Sequence, residues 1–298
     1  MKAPRSKATW IRWAGTLLTL LLLGYLAAQQ DWDTLRASFR QIEVWRWLAA
    51  LGLTLLSRLA VALRWHVLLA SAQPRLRLSQ SMRLTFAGLF AANFLPTTIG
   101  GDMVRLAGAV QLRMDAALST ASLVADRLIG MAGMTLALPW GLARALDAGM
   151  PVLQSTFLSF PGLFQKIRVF AQNLLQHFCF WARKPDSLLI SLGFTLIHMA
   201  CLFSSIAILL EGQGQSIPWL TIAGIWSLVY FITLLPVSIN GLGLQEVSST
   251  LLYAHLGGIS MEASLTLAVL LRALQMLASL PGALFVPDIL AAREGKTQ

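Results

Sequence analysis

The chain has 298 residues, of which 56% are hydrophobic and only 12% are charged. A soluble domain carries about twice that charged fraction, so an ordinary soluble protein is excluded. The net charge of +10 does not indicate nucleic-acid binding, because the basic residues are scattered through short loops. Enrichment of Lys and Arg in cytoplasmic loops of membrane proteins explains this distribution.

Apolar runs long enough to cross about 30 Å of hydrocarbon recur along the chain. They predict six full membrane spans, at residues 10–28, 48–69, 116–142, 150–164, 187–210 and 263–286. Lys2 and Arg5 before the first run, and Arg293 and Lys296 after the last, place both termini in the cytoplasm. No secretory cleavage site follows the first run, so we expect a retained helix.

Two arginines lie in the predicted span 48–69. Arg64 is near its cytoplasmic end, and we expect its side chain to reach the membrane interface. Arg58 lies deeper, where an ionisable group indicates a functional role. A structural pairing of Arg58 with a neighbouring carbonyl or carboxylate is the alternative.

Two apolar segments are interrupted in the same way. Residues 93–105 read NFLPTTIGGDMVR, and residues 235–246 read LPVSINGLGLQE. In both, a Leu-Pro pair precedes small or β-branched residues, then glycine, then a carboxylate. Proline and glycine disfavour a helix, so neither segment can cross the membrane as a regular helix. Matched interruptions, one in each half, are typical of transporter binding sites.

Each interrupted segment is predicted to form a re-entrant hairpin, with a single kinked span as the alternative. Arg105 and Arg113 favour the hairpin, because the positive-inside bias then holds. The first hairpin enters from the cytoplasm and the second from outside. The prediction is therefore one all-α, polytopic membrane domain over residues 1–298, with six spans and two hairpins in an inverted repeat whose tips meet near the midplane.

The half-helices after the breaks expose free amides and a positive dipole end, which suit a phosphate or carboxylate. Close helix packing through glycine is the alternative. The candidate residues for binding a lipid headgroup are Asn93, Pro96, Thr97, Thr98, Gly100, Gly101, Asp102, Arg105, Asp126, Arg127, Ser238, Asn240, Gly241, Gly243, Glu246 and Arg272.

Six of these candidates are charged and lie in or beside apolar segments. Because a bare charge at the bilayer centre costs about 2.5–3.5 kcal/mol, we expect them to pair. Asp102 is predicted to pair with Arg127 or Arg272, and Glu246 with one of the same arginines. A proton or ion relay through Asp102, Asp126 and Glu246 is the alternative to purely structural pairs.

Signals for catalysis are weak. The four histidines are dispersed and lack the spacing of metal ligands. Cys179 and Cys201 suggest neither a disulfide framework nor a metal site, and the chain has no nucleophile elbow. We therefore expect no enzyme activity, no metal and no cofactor.

The residues resemble the lysylphosphatidylglycerol synthase transmembrane region, a flippase-like family of integral membrane proteins. Three motifs carry the resemblance in the expected order: residues 93–105, Asp126-Arg127-Leu128 and residues 235–246. Asp102 and Asp126 stand where the family usually has Glu. Gly130 stands where Asp is common, and Asn240 replaces a glycine. The resemblance implies the flippase part without an aminoacyl-transferase domain.

The resemblance implies a transporter that moves an amphiphilic lipid between the leaflets of a bacterial inner membrane. The lipid would be phosphate-bearing, a hopanoid or a glycolipid. A membrane-embedded lipid-modifying transferase acting through Asp102 or Glu246 is one alternative, and a scaffold of an envelope-lipid synthesis complex is another. The expected partners are the lipid, further copies of the chain or lipid-synthesis enzymes, and no nucleic acid.

Overall fold

A computed structural model describes residues 21, 42–72, 76–93, 100–149, 184–234 and 243–286. From residue 42 onwards, these residues form eight α-helices and no β-strand. The helices are α1 (Val44–Ala72), α2 (Leu78–Ala92), α3 (Gly100–Gln111), α4 (Ala116–Asp147), α5 (Pro185–Gly212), α6 (Trp219–Thr233), α7 (Leu244–Gly257) and α8 (Met261–Ser279). A 3-10 helix, Leu280–Leu284, extends α8. The all-α prediction is thus confirmed for the described residues.

Four of the helices are long and apolar enough to cross a membrane. They are α1, α4, α5, and α8 together with its 3-10 extension. They coincide with four of the six predicted spans. The predicted span at residues 150–164 lies outside the described residues, and so does the span at residues 10–28 except for residue 21. Large apolar side chains such as Leu48 and Leu189 remain exposed on the outer faces of the bundle, as lipid-facing residues should.

Local sequence fixes where several helices begin. The carboxylate of Asp115 accepts the backbone N–H of Leu118 at 2.7 Å, which caps α4. The hydroxyl of Ser260 accepts the N–H of Ala263 at 3.2 Å, which caps α8. Helix α7 starts after Gly243, whose φ of 77° is readily adopted only by glycine. These caps satisfy backbone donors that helix geometry leaves unpaired.

The four remaining helices flank the two Pro/Gly breaks and are short. Helices α2, α3, α6 and α7 have 15, 12, 15 and 14 residues. At about 1.5 Å per residue none exceeds roughly 23 Å, which is less than the hydrocarbon thickness. Helix α2 packs against α3, and α6 packs against α7. The connecting residues 94–99 and 235–242 lie outside the described residues.

Helices α2 and α3 lie at the N-terminal end of α4. Only residues 112–115 separate α3 from α4. The hydroxyl of Ser81, near the start of α2, hydrogen bonds to Nδ1 of His66 in α1 at 2.8 Å. The neighbouring Trp65 donates its indole N–H to Ser122 in the first turns of α4 at 3.1 Å.

Helices α6 and α7 lie at the opposite end of α4. Gly141, near the end of α4, packs against Gly224, near the start of α6. Arg144 in the last turn of α4 donates to the carbonyl of Leu256 near the end of α7 at 3.4 Å. The two pairs of short helices therefore approach the bundle from opposite ends of one long spanning helix.

The contact between Gly141 and Gly224 leaves no space for a side chain. A Cβ atom on Gly224 would lie 2.7 Å from the carbonyl carbon of Trp140, and a backbone cannot yield as a flexible side chain does. We expect Gly224→Val to destabilise the protein by about 2 kcal/mol or more, measured as a lower thermal unfolding midpoint of the purified protein.

Gly193→Val is the matched control, because a Cβ on Gly193 of the spanning helix α5 would have no neighbour within 4 Å. Equal unfolding midpoints for the two variants would contradict the tight α4–α6 crossing.

Candidate functional site

Asp126 of α4 is at the centre of a buried ion network. Its Oδ1 accepts Nε of Arg64 from α1 at 2.7 Å, and its Oδ2 accepts Nη1 of Arg105 from α3 at 3.3 Å. Asp126 is 3% exposed, and both arginines are 7% exposed. A buried charge is tolerated only when paired and hydrogen bonded, so this carboxylate holds three helices together.

Asp102 of α3 extends the network towards Arg127 of α4. One of its oxygens accepts Nη1 of Arg105 at 3.2 Å, and the other accepts Nε of Arg127. Arg105 also lies over the ring of Trp65, with 4.1 Å between Cζ and the ring centroid, a cation–π contact. Among the described residues, three arginines are thus connected to two aspartates.

A second ion pair joins α7 and α8. Nε of Arg272 donates to Oε1 of Glu246, and the backbone N–H of Gly243 donates to Oε2 at 2.8 Å. Glu246 therefore caps the start of α7 and neutralises an arginine of the next spanning helix. Its side chain is 7% exposed, so the pair is buried.

The Asp102–Arg127 and Glu246–Arg272 pairs occupy equivalent positions. Asp102 is the third residue of α3, and Glu246 is the third residue of α7. Arg127 is the twelfth residue of α4, and Arg272 is the twelfth residue of α8. In each half, the carboxylate that follows a break binds an arginine of the next spanning helix. Both pairings predicted from the sequence are confirmed.

The prediction for Arg64 was wrong. Its side chain does not extend to the membrane interface but lies buried against Asp126, and Nη1 also donates to Oγ1 of Thr195 in α5 at 3.3 Å. The buried position of Arg64 is favourable because the carboxylate of Asp126 is close to its guanidinium. If Arg64 turned towards the interface, the buried charge of Asp126 would lose one of its partners.

A cavity of about 280 Å³ lies among α1, α4, α5, α6, α7 and α8. Its lining combines basic, amide, hydroxyl and aromatic side chains with apolar ones: Thr54, Ser57, Arg58, Arg127, Met134, His198, Leu202, Trp226, Tyr230, Thr233, Leu234, Gln245, Leu271 and Gln275. The side chain of Arg127 is 45% exposed, so it connects the ion network to the cavity. The lining residues that the structure describes include no carboxylate.

Arg58 of α1 lines the cavity without a counter-ion. Its Nε atom is buried and has no hydrogen-bond partner. Among the ion pairs of the described residues, none includes Arg58. The structural pairing that the sequence left open for Arg58 is therefore not found in the part of the chain that the structure describes.

The sequence matches the family described as the lysylphosphatidylglycerol synthase TM region at residues 12–164 and 144–282. The chain belongs to this family. The resemblance inferred from the three motifs is thus confirmed, and with it a membrane protein with a lipid-related function. No curated protein matches the chain.

One departure from the family pattern lies beside the ion network. A Cβ on Gly130, where the family commonly has Asp, would lie 3.0 Å from Nη1 of Arg64. An Asp at position 130 would therefore place its carboxylate beside the guanidinium of Arg64, which Asp126 already neutralises. Among the described residues, the glycine leaves Asp126 as the carboxylate that binds Arg64, whereas Arg105 is bound by both Asp126 and Asp102.

Of the ten candidates that the structure describes, Arg127 is the one that lines the cavity. Asp102, Arg105 and Asp126 belong to the ion network, and Glu246 and Arg272 to the second pair. All three carboxylates proposed for a proton relay are bound to arginines, which favours a structural role. Pro96, Thr97, Thr98, Ser238, Asn240 and Gly241 lie outside the described residues.

The other candidates have packing roles. Asn93 donates to Oγ of Ser279 at 2.7 Å, which ties the end of α2 to the end of α8. Gly100 is buried at the start of α3. A Cβ on Gly101 would lie 2.6 Å from the carbonyl oxygen of Gly88, so α2 and α3 cross where both lack side chains. At this crossing, the close-packing interpretation holds.

Sequence reasoning missed most of the cavity lining. The polar and aromatic lining residues come from four different helices, and they include Trp226, Tyr230, Gln245, Gln275 and His198. When a polar or aromatic residue occurs singly in an apolar helix, the sequence does not indicate which residues of other helices it will lie beside. The depth of Arg58 and His198 within predicted spans was the one available signal.

We expect Asp126→Asn to destabilise the protein by about 3–5 kcal/mol, because it leaves two buried arginines short of a counter-ion. The measurement is the thermal unfolding midpoint in detergent. Asp147→Asn, which removes an exposed carboxylate at the other end of α4, is the control and should change little. An Asp126→Asn protein as stable as this control would show that the network does not hold α1, α3 and α4 together.

Proposed function

We propose that this protein is a transporter that moves an amphiphilic lipid between the leaflets of the membrane. The observation that carries the proposal is the polar cavity, which residues of six helices enclose within an apolar bundle. A charged cavity inside the membrane is costly to build and usually marks a substrate pathway. Membership of the family supports a lipid as the substrate.

In this proposal the helices form two inverted repeats, each made of a span, a re-entrant hairpin and a second span. The first repeat is α1, the α2–α3 hairpin and α4, and the second is α5, the α6–α7 hairpin and α8. The equivalent ion pairs and the approach of the short helices from opposite ends of α4 support this arrangement. Transporters built from inverted repeats bind substrate near the midplane, beside discontinuous helices.

The seam between α1 and α5 supports the same symmetry. Ser205 donates to the carbonyl of Ala50 at 3.3 Å, and Ser191 donates to the carbonyl of Arg64 at 3.4 Å. Ala50 and Ser191 are each the seventh residue of their helix, and Arg64 and Ser205 are each the twenty-first. One hydrogen bond thus joins the seventh residue of α1 to the twenty-first of α5, and the other joins the twenty-first residue of α1 to the seventh of α5. A two-fold rotation that superposes α1 on α5 would place each bond where the other lies.

The centre of this seam is a hydrogen bond of 2.7 Å between Ser57 and His198. Both residues are the fourteenth of their helix, so a two-fold axis would pass between them. Both also line the cavity, which would place the cavity at the symmetry centre.

Charge supports an orientation of the bundle. The end at which α4 begins carries Arg77, Arg83, Arg113 and Lys184 with Asp115 and Asp186; the other end carries Arg46 and Arg144 with Glu43, Asp147, Glu211 and Glu262. By the positive-inside rule, the first end faces the cytoplasm. The α2–α3 hairpin then enters from the cytoplasm, and the α6–α7 hairpin enters from outside.

The mechanism follows from this geometry. The headgroup occupies the cavity while the acyl chains remain in the surrounding lipid. Movement of one repeat against the other opens the cavity to each leaflet in turn. The Asp102–Arg127 and Glu246–Arg272 pairs join each hairpin to the next span of its own repeat, so each repeat would move as one unit.

The same geometry favours transport over a lipid-modifying transferase. A transferase acting through Asp102 or Glu246 would need that carboxylate to face the substrate. In the structure each is held by an arginine, and neither lines the cavity.

Cysteine labelling tests the opposed hairpins. In a protein with Cys179 and Cys201 replaced by alanine, Leu112→Cys at the end of α3 and His255→Cys at the end of α7 change exposed positions. We expect a membrane-impermeant thiol reagent to label Leu112→Cys from the cytoplasmic side and His255→Cys from outside.

Leu78→Cys and Trp219→Cys, at the exposed starts of α2 and α6, are the matched controls. Each should be labelled from the same side as the far end of its own hairpin. Labelling of Leu112→Cys and Leu78→Cys from opposite sides would mean that the first segment spans the membrane.

A translocation assay tests the function. Purified protein is reconstituted with NBD-labelled phosphatidylglycerol, phosphatidylcholine or monoglucosyl diacylglycerol, and dithionite reports which labels reach the outer leaflet. We expect at least one probe to cross faster than in protein-free liposomes. Thr233→Trp, which fills the cavity from α6, should reduce that rate towards the protein-free value.

Thr120→Trp, at an exposed position of α4, is the control and should keep the wild-type rate. No acceleration of any of the three probes would overturn the proposed function.

A further inference from the structure

The arginine without a counter-ion indicates the charge of the headgroup. Arg58 lies at the middle of α1, a helix that is apolar enough to span the membrane. Its Nε atom is buried without a hydrogen-bond partner, although buried polar groups are normally satisfied. Arg272 lies near enough to repel it. The position of this guanidinium therefore favours an anionic partner, which the described residues do not supply.

Charge around the cavity has the same sign throughout. Within the described part of the chain, Arg64, Arg105 and Arg127 share two aspartates, and Arg127 reaches the cavity. Arg58 adds a second positive charge. The Glu246–Arg272 pair is balanced. An anionic group in the cavity would meet two arginines and no described carboxylate.

The remaining lining suits a phosphate ester. The amide groups of Gln245 and Gln275 can donate to phosphate oxygens or accept from headgroup hydroxyls. The hydroxyl of Thr233 donates to the carbonyl of Tyr230 at 2.7 Å and can accept from a headgroup hydroxyl. Trp226 and Tyr230 provide flat apolar walls. A volume of about 280 Å³ is at the small end of ligand pockets, so it accommodates a headgroup and not a complete lipid.

We propose that Arg58, together with Arg127, binds the phosphodiester of an anionic lipid headgroup such as that of phosphatidylglycerol. This inference rests on the proposed function and narrows it, because it disfavours neutral hopanoids and neutral glycolipids as substrates. Guanidinium groups bind phosphate oxygens through charge-assisted hydrogen bonds. A soluble phosphate ester has the same chemistry, and the test below separates the two sources.

The test measures binding to the purified full-length protein in phosphatidylcholine nanodiscs by calorimetry, with empty nanodiscs as the blank. The probes are dihexanoyl phosphatidylglycerol, dihexanoyl phosphatidylcholine, octyl glucoside, glycerol 3-phosphate and inorganic phosphate. We expect dihexanoyl phosphatidylglycerol to bind more tightly than the zwitterionic and neutral probes. Arg58→Gln should weaken its binding about 10-fold or more, and Arg58→Lys should have a smaller effect.

Arg113→Gln is the matched control, since it removes the same charge from an exposed turn after α3; it should leave binding unchanged. Thermal unfolding separates loss of binding from loss of fold. Because Arg58→Gln removes an unbalanced charge, the ligand-free variant should unfold at a midpoint equal to or above that of the wild type. Phosphatidylglycerol should then raise the midpoint of the wild type more than that of Arg58→Gln.

Three binding results would overturn the inference. The first is equal binding of phosphatidylglycerol and phosphatidylcholine. The second is binding that a folded Arg58→Gln protein retains in full. The third is binding of inorganic phosphate or glycerol 3-phosphate as tight as that of the lipid, which would assign the site to a soluble phosphate.

The translocation assay distinguishes this failure from failure of the proposed function. Transport with no preference for anionic headgroups would remove the role of Arg58 and leave the lipid transporter intact. Binding that depends on Arg58, with no translocation of any probe, would remove the transporter and leave the anion site.

Discussion

The cost of placing charge in hydrocarbon determines how the helices of this protein meet. A bare arginine or aspartate at the bilayer centre is unfavourable by about 2.5–3.5 kcal/mol, so each such residue must find a partner. Asp126 serves Arg64 and Arg105 together, which brings α1, α3 and α4 to one point. Replacing such a network by apolar groups can cost nothing, whereas breaking it is costly. The network therefore fixes which helices are neighbours more than it adds to stability.

The two breaks impose the second constraint. Helices of 12 to 15 residues cannot cross the bilayer, and their free backbone ends must be satisfied within protein or a wet cavity. Glu246 does so directly, since one carboxylate oxygen accepts the N–H of Gly243 and the other binds Arg272. Glycine contacts, such as Gly88 with Gly101, bring the short helices close enough to bury these ends. Glu246 thus both pairs with a buried charge and accepts a hydrogen bond from a free backbone N–H.

The positions of the four described spans and the pairings of Asp102 and Glu246 could be predicted from sequence, because apolar length and the cost of charge depend on composition and order alone. The partner of Arg64 could not, because it depends on the rotation of α1 against α4. The same holds for the cavity: Trp226, Gln245 and Gln275 lie on three helices, and their convergence follows from helix packing. The interruptions at residues 93–105 and 235–246 adjoin the ion pairs, but the side chains that line the cavity come largely from the flanking spans.

Arg58 is a residue that stability alone does not explain. Four arginines of the described interior, Arg64, Arg105, Arg127 and Arg272, have carboxylate partners, whereas Arg58 has none. Folding alone would favour glutamine or an apolar residue at this position, because an unpaired charge facing a confined cavity destabilises the folded state. A residue that disfavours folding is expected where a protein binds a ligand, because binding sites often sacrifice stability for function. An anionic headgroup would supply the missing charge while it occupies the cavity, and its departure would leave Arg58 unpaired again. The charge proposed to bind the lipid would therefore also slow its release.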